Sequence, residues 1–218
     1  VVNRPEAQSR PRGRPRAFDR DKALAIAGET FWQFGYEGAS IADLTAAMGI
    51  TSQSLYAAFT SKADLYREAL GWYQSQIGAF SVTALREPDV VHAFERLLME
   101  TAVEFSRPGR PHGCMISTAV LACAQENEAV ADMVAQERDA TLNALRGRIE
   151  RGIADGQLMN ETDAAGLARF VGAIIQGMSV QARDGASEAE LQAIARQAIE
   201  QVRRFRSSNE NAPPAQRS

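Results

Sequence analysis

The stretch Ser40–Phe59, SIADLTAAMGITSQSLYAAF, decides the fold. Gly49 divides it, and glycine takes at little cost the left-handed backbone that a tight turn between helices demands. Ile41, Leu44 and Met48 before the glycine, with Ile50 and Leu55 after it, fall at the spacings that pin one short helix across another. The pattern is a helix-turn-helix. Its second helix opens with Thr51-Ser52-Gln53-Ser54, small polar side chains able to donate or accept at base edges, and its free amides favour a nearby phosphate.

Working outward, helix starts are legible as a serine followed three residues later by an acid, at Ser40/Asp43, Ser61/Asp64 and Ser187/Glu190. Asp19 is a plausible cap for the first helix, Pro88 suits the first turn of another, and Gly156 marks a helix stop. The eight prolines leave 16–87 and 112–212 uninterrupted, and both stretches carry apolar residues at helical rather than alternating spacing. We expect helices near 19–35, 40–48, 51–59, 61–82, 88–106, 113–124, 127–155, 162–183 and 187–206. The fold class is all-α.

The segment also resembles the tetracycline-repressor (TetR) family of bacterial transcriptional regulators. The resemblance runs from Lys22 to about Tyr66, through Phe31-Trp32-Gln33-Phe34-Gly35-Tyr36, Gly38-Ala39-Ser40-Ile41, Met48-Gly49-Ile50, Ser54-Leu55-Tyr56-Ala57-Ala58-Phe59 and Ser61-Lys62-Ala63-Asp64-Leu65. Thr45 departs from it, since the family more often has alanine there. The resemblance implies phosphate contacts from Ser40, Tyr56 and Lys62, with Thr51, Ser52, Gln53 and Ser54 at or near base edges. It also implies a larger helical domain that dimerises through its last two helices and encloses a pocket between the others. The expected division is a disordered basic arm at 1–17, a three-helix helix-turn-helix DNA-binding domain at 18–76 joined by a linking helix to a larger helical ligand-binding and dimerisation domain at 77–206, and a disordered tail at 207–218.

A net charge of −3 looks wrong for a nucleic-acid binder until the charge is located. From Asn3 to Arg20 six arginines face two acids, so this arm carries +4 and the rest −7. Within it, Pro11-Arg12-Gly13-Arg14-Pro15 matches the core of the AT-hook, an extended segment that lays arginines into a narrow minor groove. Arg12, Arg14 and Arg16 are therefore candidate DNA contacts, and a solvated basic tail is the plainer alternative. A purely architectural A/T-binding protein would also use such an arm, but the acidic bulk argues against nonspecific coating.

For the remainder, Phe94, Leu98, Thr101, Phe105, Met115, Ala119, Met133, Leu142 and Phe170 are candidates to line a pocket for a small apolar or aromatic effector. Phe170, Ile174, Met178, Leu191, Ile194, Ala198 and Val202 are candidates for a homodimer face, with intramolecular core as the alternative. His112-Gly113-Cys114-Met115 admits a metal or redox-responsive reading, although a buried thiol in ordinary packing is the more economical one. On one helix, Cys114 and Cys123 would lie roughly 14 Å apart along the axis, beyond the reach of a disulfide. With two histidines, no G-x-S-x-G, no HExxH and no phosphate-binding glycine loop, the chain does not read as an enzyme. No cofactor is expected. The partners are double-stranded DNA with a palindromic operator, a second copy of the chain and a small molecule, with no membrane; the location expected is cytoplasmic and nucleoid-associated.

Overall fold

The computed structural model describes residues 19–207, leaving out 118 and 122. The arm bearing Arg12, Arg14 and Arg16 and the tail from 208 onward lie outside the described residues. Among those described the protein is all-α: α1 Arg20–Gly38, α2 Ile41–Met48, α3 Ser52–Ala58, α4 Lys62–Gln76, α5 Ala79–Ala84, α6 Val90–Ser106, α7 Glu128–Ala154, α8 Ala164–Arg183 and α9 Glu188–Arg203, with one 3-10 turn at Gln125–Asn127. No helix of the described residues is long and apolar enough to cross a membrane.

Two hydrophobic cores organise these helices. The first gathers Phe31, Trp32 and Tyr36 of α1, Leu44 of α2, Leu55 of α3 and Leu65, Tyr66 and Tyr73 of α4. Its rings meet edge-on, Phe31 with Tyr66 at 4.9 Å and Trp32 with Tyr73 at 5.0 Å between centroids, an arrangement that suits the ring quadrupoles. Helices α1 and α4 lie so near that a Cβ on Gly28 would stand 2.4 Å from the Trp72 ring.

The second core lies where α6 packs on α9 and α7 on α8. It is made largely of Leu, Val, Ile and Ala, with Phe94 and Phe105. Arg148 is buried on α7, and its guanidinium donates to the carbonyls of Glu87 and Pro88 at 3.0 Å. Pro88 precedes α6 rather than occupying its first turn, because Asp89 is the cap, accepting from the His92 amide at 2.8 Å. Gly156, at φ 72, follows the end of α7 as expected.

Three segments depart from the sequence reading. The expected helix 61–82 is two helices: the amides of Ile77 and Gly78 both turn back to the Tyr73 carbonyl, and α5 starts anew after Gly78. The expected helix 113–124 is absent among the described residues, which form turns instead. Gly113 at φ 74 brings the backbone against Ser179, whose hydroxyl accepts from the Cys114 amide, and Met115 and Ile116 then enter the first core. Apolar residues here serve two separate contacts, not one helix face. The cysteine geometry inferred from a shared helix therefore does not apply; both thiols are free. Lastly, Ser207 belongs with the folded body, donating to the Gln157 carbonyl at 2.9 Å.

Candidate nucleic-acid interface and interior cavity

Two short helices, α2 and α3, and the start of α4 hold the polar side chains of the candidate interface. Ser40 caps α2, its hydroxyl accepting from the Asp43 amide while the Asp43 carboxylate accepts from the Ser40 amide and hydroxyl. These bonds hold the Asp43 carboxyl below its ordinary value. Gly49, at φ 66 and ψ 34, ends α2 in the left-handed conformation expected of it, and Ile50 donates back to the Thr45 carbonyl. The Thr45 hydroxyl is itself tied to the Ile41 carbonyl at 2.8 Å, so this β-branched residue fits inside α2.

Helix α3 begins with Thr51 as its cap. The Thr51 hydroxyl accepts from the Ser54 amide and lies 3.0 Å from the Ser54 hydroxyl, so those two side chains satisfy each other. Ser52 and Gln53 are exposed with no such tie, while Leu55 opposite is fully buried. Tyr56 is half exposed on the same helix. Lys62 is only partly exposed, its ammonium 4.5 Å from the centre of the Tyr36 ring. Burial holds its pKa below the ordinary value, with Glu37 acting the other way.

A cavity of about 670 Å³ lies between the end of α4, α5 and helices α6, α7 and α8. Of the pocket candidates, Thr101, Phe105 and Leu142 line it. The other six candidates do not. Phe94 and Leu98 are fully buried in the second core and do not reach the cavity. Met115, Ala119 and Met133 pack against the first core, and Phe170 stands 37% exposed on the outer side of α8. Thr101 does not present a free hydroxyl, since it donates to the Leu97 carbonyl at 2.7 Å. Sequence reasoning missed Tyr73, Phe80 and Arg138. A signal existed for Arg138: it interrupts the stripe Val130, Val134, Leu142, Leu145 and Ile149, where a charge needs a reason.

The dimer candidates also divide. Met178, Leu191, Ala198 and Val202 are at most 1% exposed within a single chain: α9 packs against α6 and spends its apolar stripe there, and Met178 of α8 is buried in the same core. They are core, and that part of the expected face is corrected. Phe170 stays exposed, with Ile174 and Ile194 partly so. Ala173 and Val180 are exposed on the same side of α8. Among the described residues, no group of three His, Cys, Asp or Glu side chains is placed to hold a metal ion.

Residues 23–69 match the profile of bacterial regulatory proteins of the tetR family, and residues 94–201 match that of the tetracyclin repressor-like C-terminal domain. The chain is also 35% identical over 186 residues to the HTH-type transcriptional repressor ComR of Escherichia coli K12, covering 84% of this chain and 89% of that one. It belongs to the TetR family. A second relative, the HTH-type transcriptional repressor BdcR of the same organism, is 30% identical over 90% of this chain and 95% of its own. Among solved structures, a cysteine mutant of the TetR family transcriptional regulator CifR, complexed with 26-base-pair operator DNA, matches with a TM-score of 0.83 and 44% identity, over 86% of this chain and 98% of that one. As a TetR-family protein the chain is a DNA-binding transcriptional regulator with a helix-turn-helix.

Proposed function

We propose that the chain is a repressor that works as a homodimer, setting two copies of α3 into successive major grooves of a palindromic operator about 34–36 Å apart. A small apolar or aromatic effector filling the cavity releases it. The observation that carries this reading is the two-sidedness of α3: Leu55 is locked into the aromatic core while Ser52 and Gln53 stand free in solvent. An amide such as that of Gln53 can pair with an adenine edge. Ser40, Tyr56 and Lys62 hold phosphates around it, Thr51 and Ser54 frame the helix start beside the bases, and Arg12, Arg14 and Arg16 take the adjacent minor groove. The arrangement of CifR with operator DNA and the names of the repressor relatives support the same reading.

In this reading residues 18–76 bind DNA, and residues 77–206 bind effector and partner. The partner covers the exposed side of α8, with Phe170, Ala173, Ile174 and Val180, and Ile194 of α9. Ligand acts through its different affinity for the two spacings of the paired α3 helices, and a coupling of ~1–3 kcal/mol shifts operator affinity roughly 5- to 150-fold. Competition among genomic fragments in fluorescence anisotropy tests the whole: an approximately palindromic fragment is preferred, and equal affinity for every fragment overturns the proposal. Light scattering on Phe170→Glu tests the dimer, which is expected to dissociate and lose operator affinity.

A further inference from the structure

The wall of the cavity is mostly apolar, and its charged groups come from few places. Arg138 and Glu137 reach it from α7, with Arg86 and Arg151 near α5, so three guanidiniums face one carboxylate. The Glu137 carboxylate is taken up by the Gln74 amide at 2.5 Å, and Arg151 donates to the Leu85 carbonyl. Arg138 is held differently. Its Nη1 donates to the Ala119 carbonyl at 2.9 Å, with the Ile116 carbonyl 3.5 Å away. Among the described residues its acceptors are neutral carbonyls, and it forms no ion pair.

Those carbonyls belong to the segment that joins the cavity to the DNA-binding helices. Met115 and Ile116 are buried in the same core as Phe31, Leu55 and Tyr66. Val120, next to Ala119, sits at φ 48. A β-branched side chain disfavours that left-handed backbone, which persists only where the surroundings hold it. Tyr66 has a buried phenol with no hydrogen-bond partner in the same core, so the junction is incompletely satisfied as it stands.

Resting on the reading of the cavity as an effector site, we infer that it takes an amphiphile with an acidic head. Its apolar body packs on Tyr73, Phe80 and Phe105, and its carboxylate or other oxyanion bonds to Arg138 in place of the Ala119 carbonyl, releasing from α7 the 115–120 segment that packs against the DNA-binding helices. An oxyanion wins this exchange because it sets a full opposite charge against the guanidinium where the carbonyl offers only a dipole, and the guanidinium fork matches two oxygens. The like charge of Glu137 opposes the head, and the three arginines outweigh it. The ligand then has what release requires, a contact made only once Arg138 has let go.

Matched probes test this on the full chain: octanoate against octanol, and cinnamate against cinnamyl alcohol, titrated calorimetrically into wild type, Arg138→Gln, Arg138→Lys and Leu142→Trp. The acids are expected to bind at least about tenfold more tightly than the alcohols. Arg138→Gln should abolish that preference and Arg138→Lys retain part of it. Acid should raise hydrogen exchange across 115–120, leave α9 unchanged, and weaken operator binding roughly 5- to 150-fold. Equal binding of acid and alcohol, or a preference that survives Arg138→Gln, overturns the acidic head while leaving the cavity reading intact. Acid binding without increased exchange at 115–120 overturns the coupling. Binding that Leu142→Trp leaves undisturbed, or no binding of any probe, takes down the cavity reading and this inference together.

Discussion

Helices α1 to α4 close around buried aromatic rings, Phe31, Trp32, Tyr36, Phe59, Tyr66 and Tyr73, among which Phe31 meets Tyr66 and Trp32 meets Tyr73 edge to face. Helices α6 to α9 close around branched aliphatics and alanines, and between them and α5 the packing leaves about 670 Å³ unfilled. Large flat rings fill a small core with few shapes to choose from, so the helices that carry Ser52 and Gln53 are fixed relative to one another. The aliphatic body has side chains such as Leu142 that border empty space and can rearrange. The contrast assigns rigidity to the surface that must match DNA and adaptability to the part that must answer a ligand.

The contrast can be broken most directly by equivalent truncations. Phe31→Ala should cost ~3–5 kcal/mol in denaturant unfolding, because the neighbouring rings cannot close the hole. Phe105→Ala, which already faces the cavity, should cost only about 1–2 kcal/mol, since part of its surface has no contacts to lose. Equal losses would erase the distinction. On the exposed side, Gln53→Ala should leave stability unchanged and weaken operator binding by ~1–3 kcal/mol with relaxed preference at one base pair; uniform weakening on all sequences would reassign Gln53 to the backbone.

Two glycines sharpen the same point at smaller magnitude. An added Cβ meets the Trp72 ring at 2.4 Å at Gly28 and the Leu142 Cδ2 at 2.5 Å at Gly172. The indole is held by the aromatic core, whereas the leucine end can swing into the cavity. Gly28→Ala should therefore lose about 1–2 kcal/mol and Gly172→Ala stay within about 0.5 kcal/mol, read as shifts in midpoint. The smallest effect is acid sensitivity. Hydrogen bonds from Ser40 and Ser61 hold Asp43 and Asp64 below the ordinary carboxylate value. Their contribution is present above that value and lost as pH falls through the lower folded one, from about pH 4 downward. Removing both caps with Ser40→Ala and Ser61→Ala should flatten the fall of the urea midpoint in acid; an unchanged slope would show that other carboxylates govern it.

Much of the first core was legible because its signals are local. Ser40 with Asp43, Gly49, and Ser61 with Asp64 act within one or two turns, and each does in the structure what its type requires. The body was less legible because its outcome depends on neighbours. Leu191 and Val202 present the same apolar periodicity whether they face α6 or a second chain, and only the packing of α9 on α6 decides between them. Residues 113–124 carry apolar side chains at spacings that read as helical, yet Met115 and Ile116 are claimed by one core and Gly113 by close contact with Ser179. Arg138 drew no reading from the sequence, although it interrupts an apolar stripe and lines the cavity.

Glu37, in the last turn of α1, accepts from both the Ala124 amide and the Asn127 side chain. At the other end of the same unit, Arg183 donates to the Trp32 carbonyl and Gln74 to Glu137. These ties between body and DNA-binding helices start from α1 and α4, while α2 and α3 ride on them. Any motion of the body therefore reaches α3 as a swing of an intact block, with its caps and aromatic contacts carried along. Circular dichroism would register almost nothing of such a change, while a pair of spin labels, one on each α3 of a dimer, would see it as a distance.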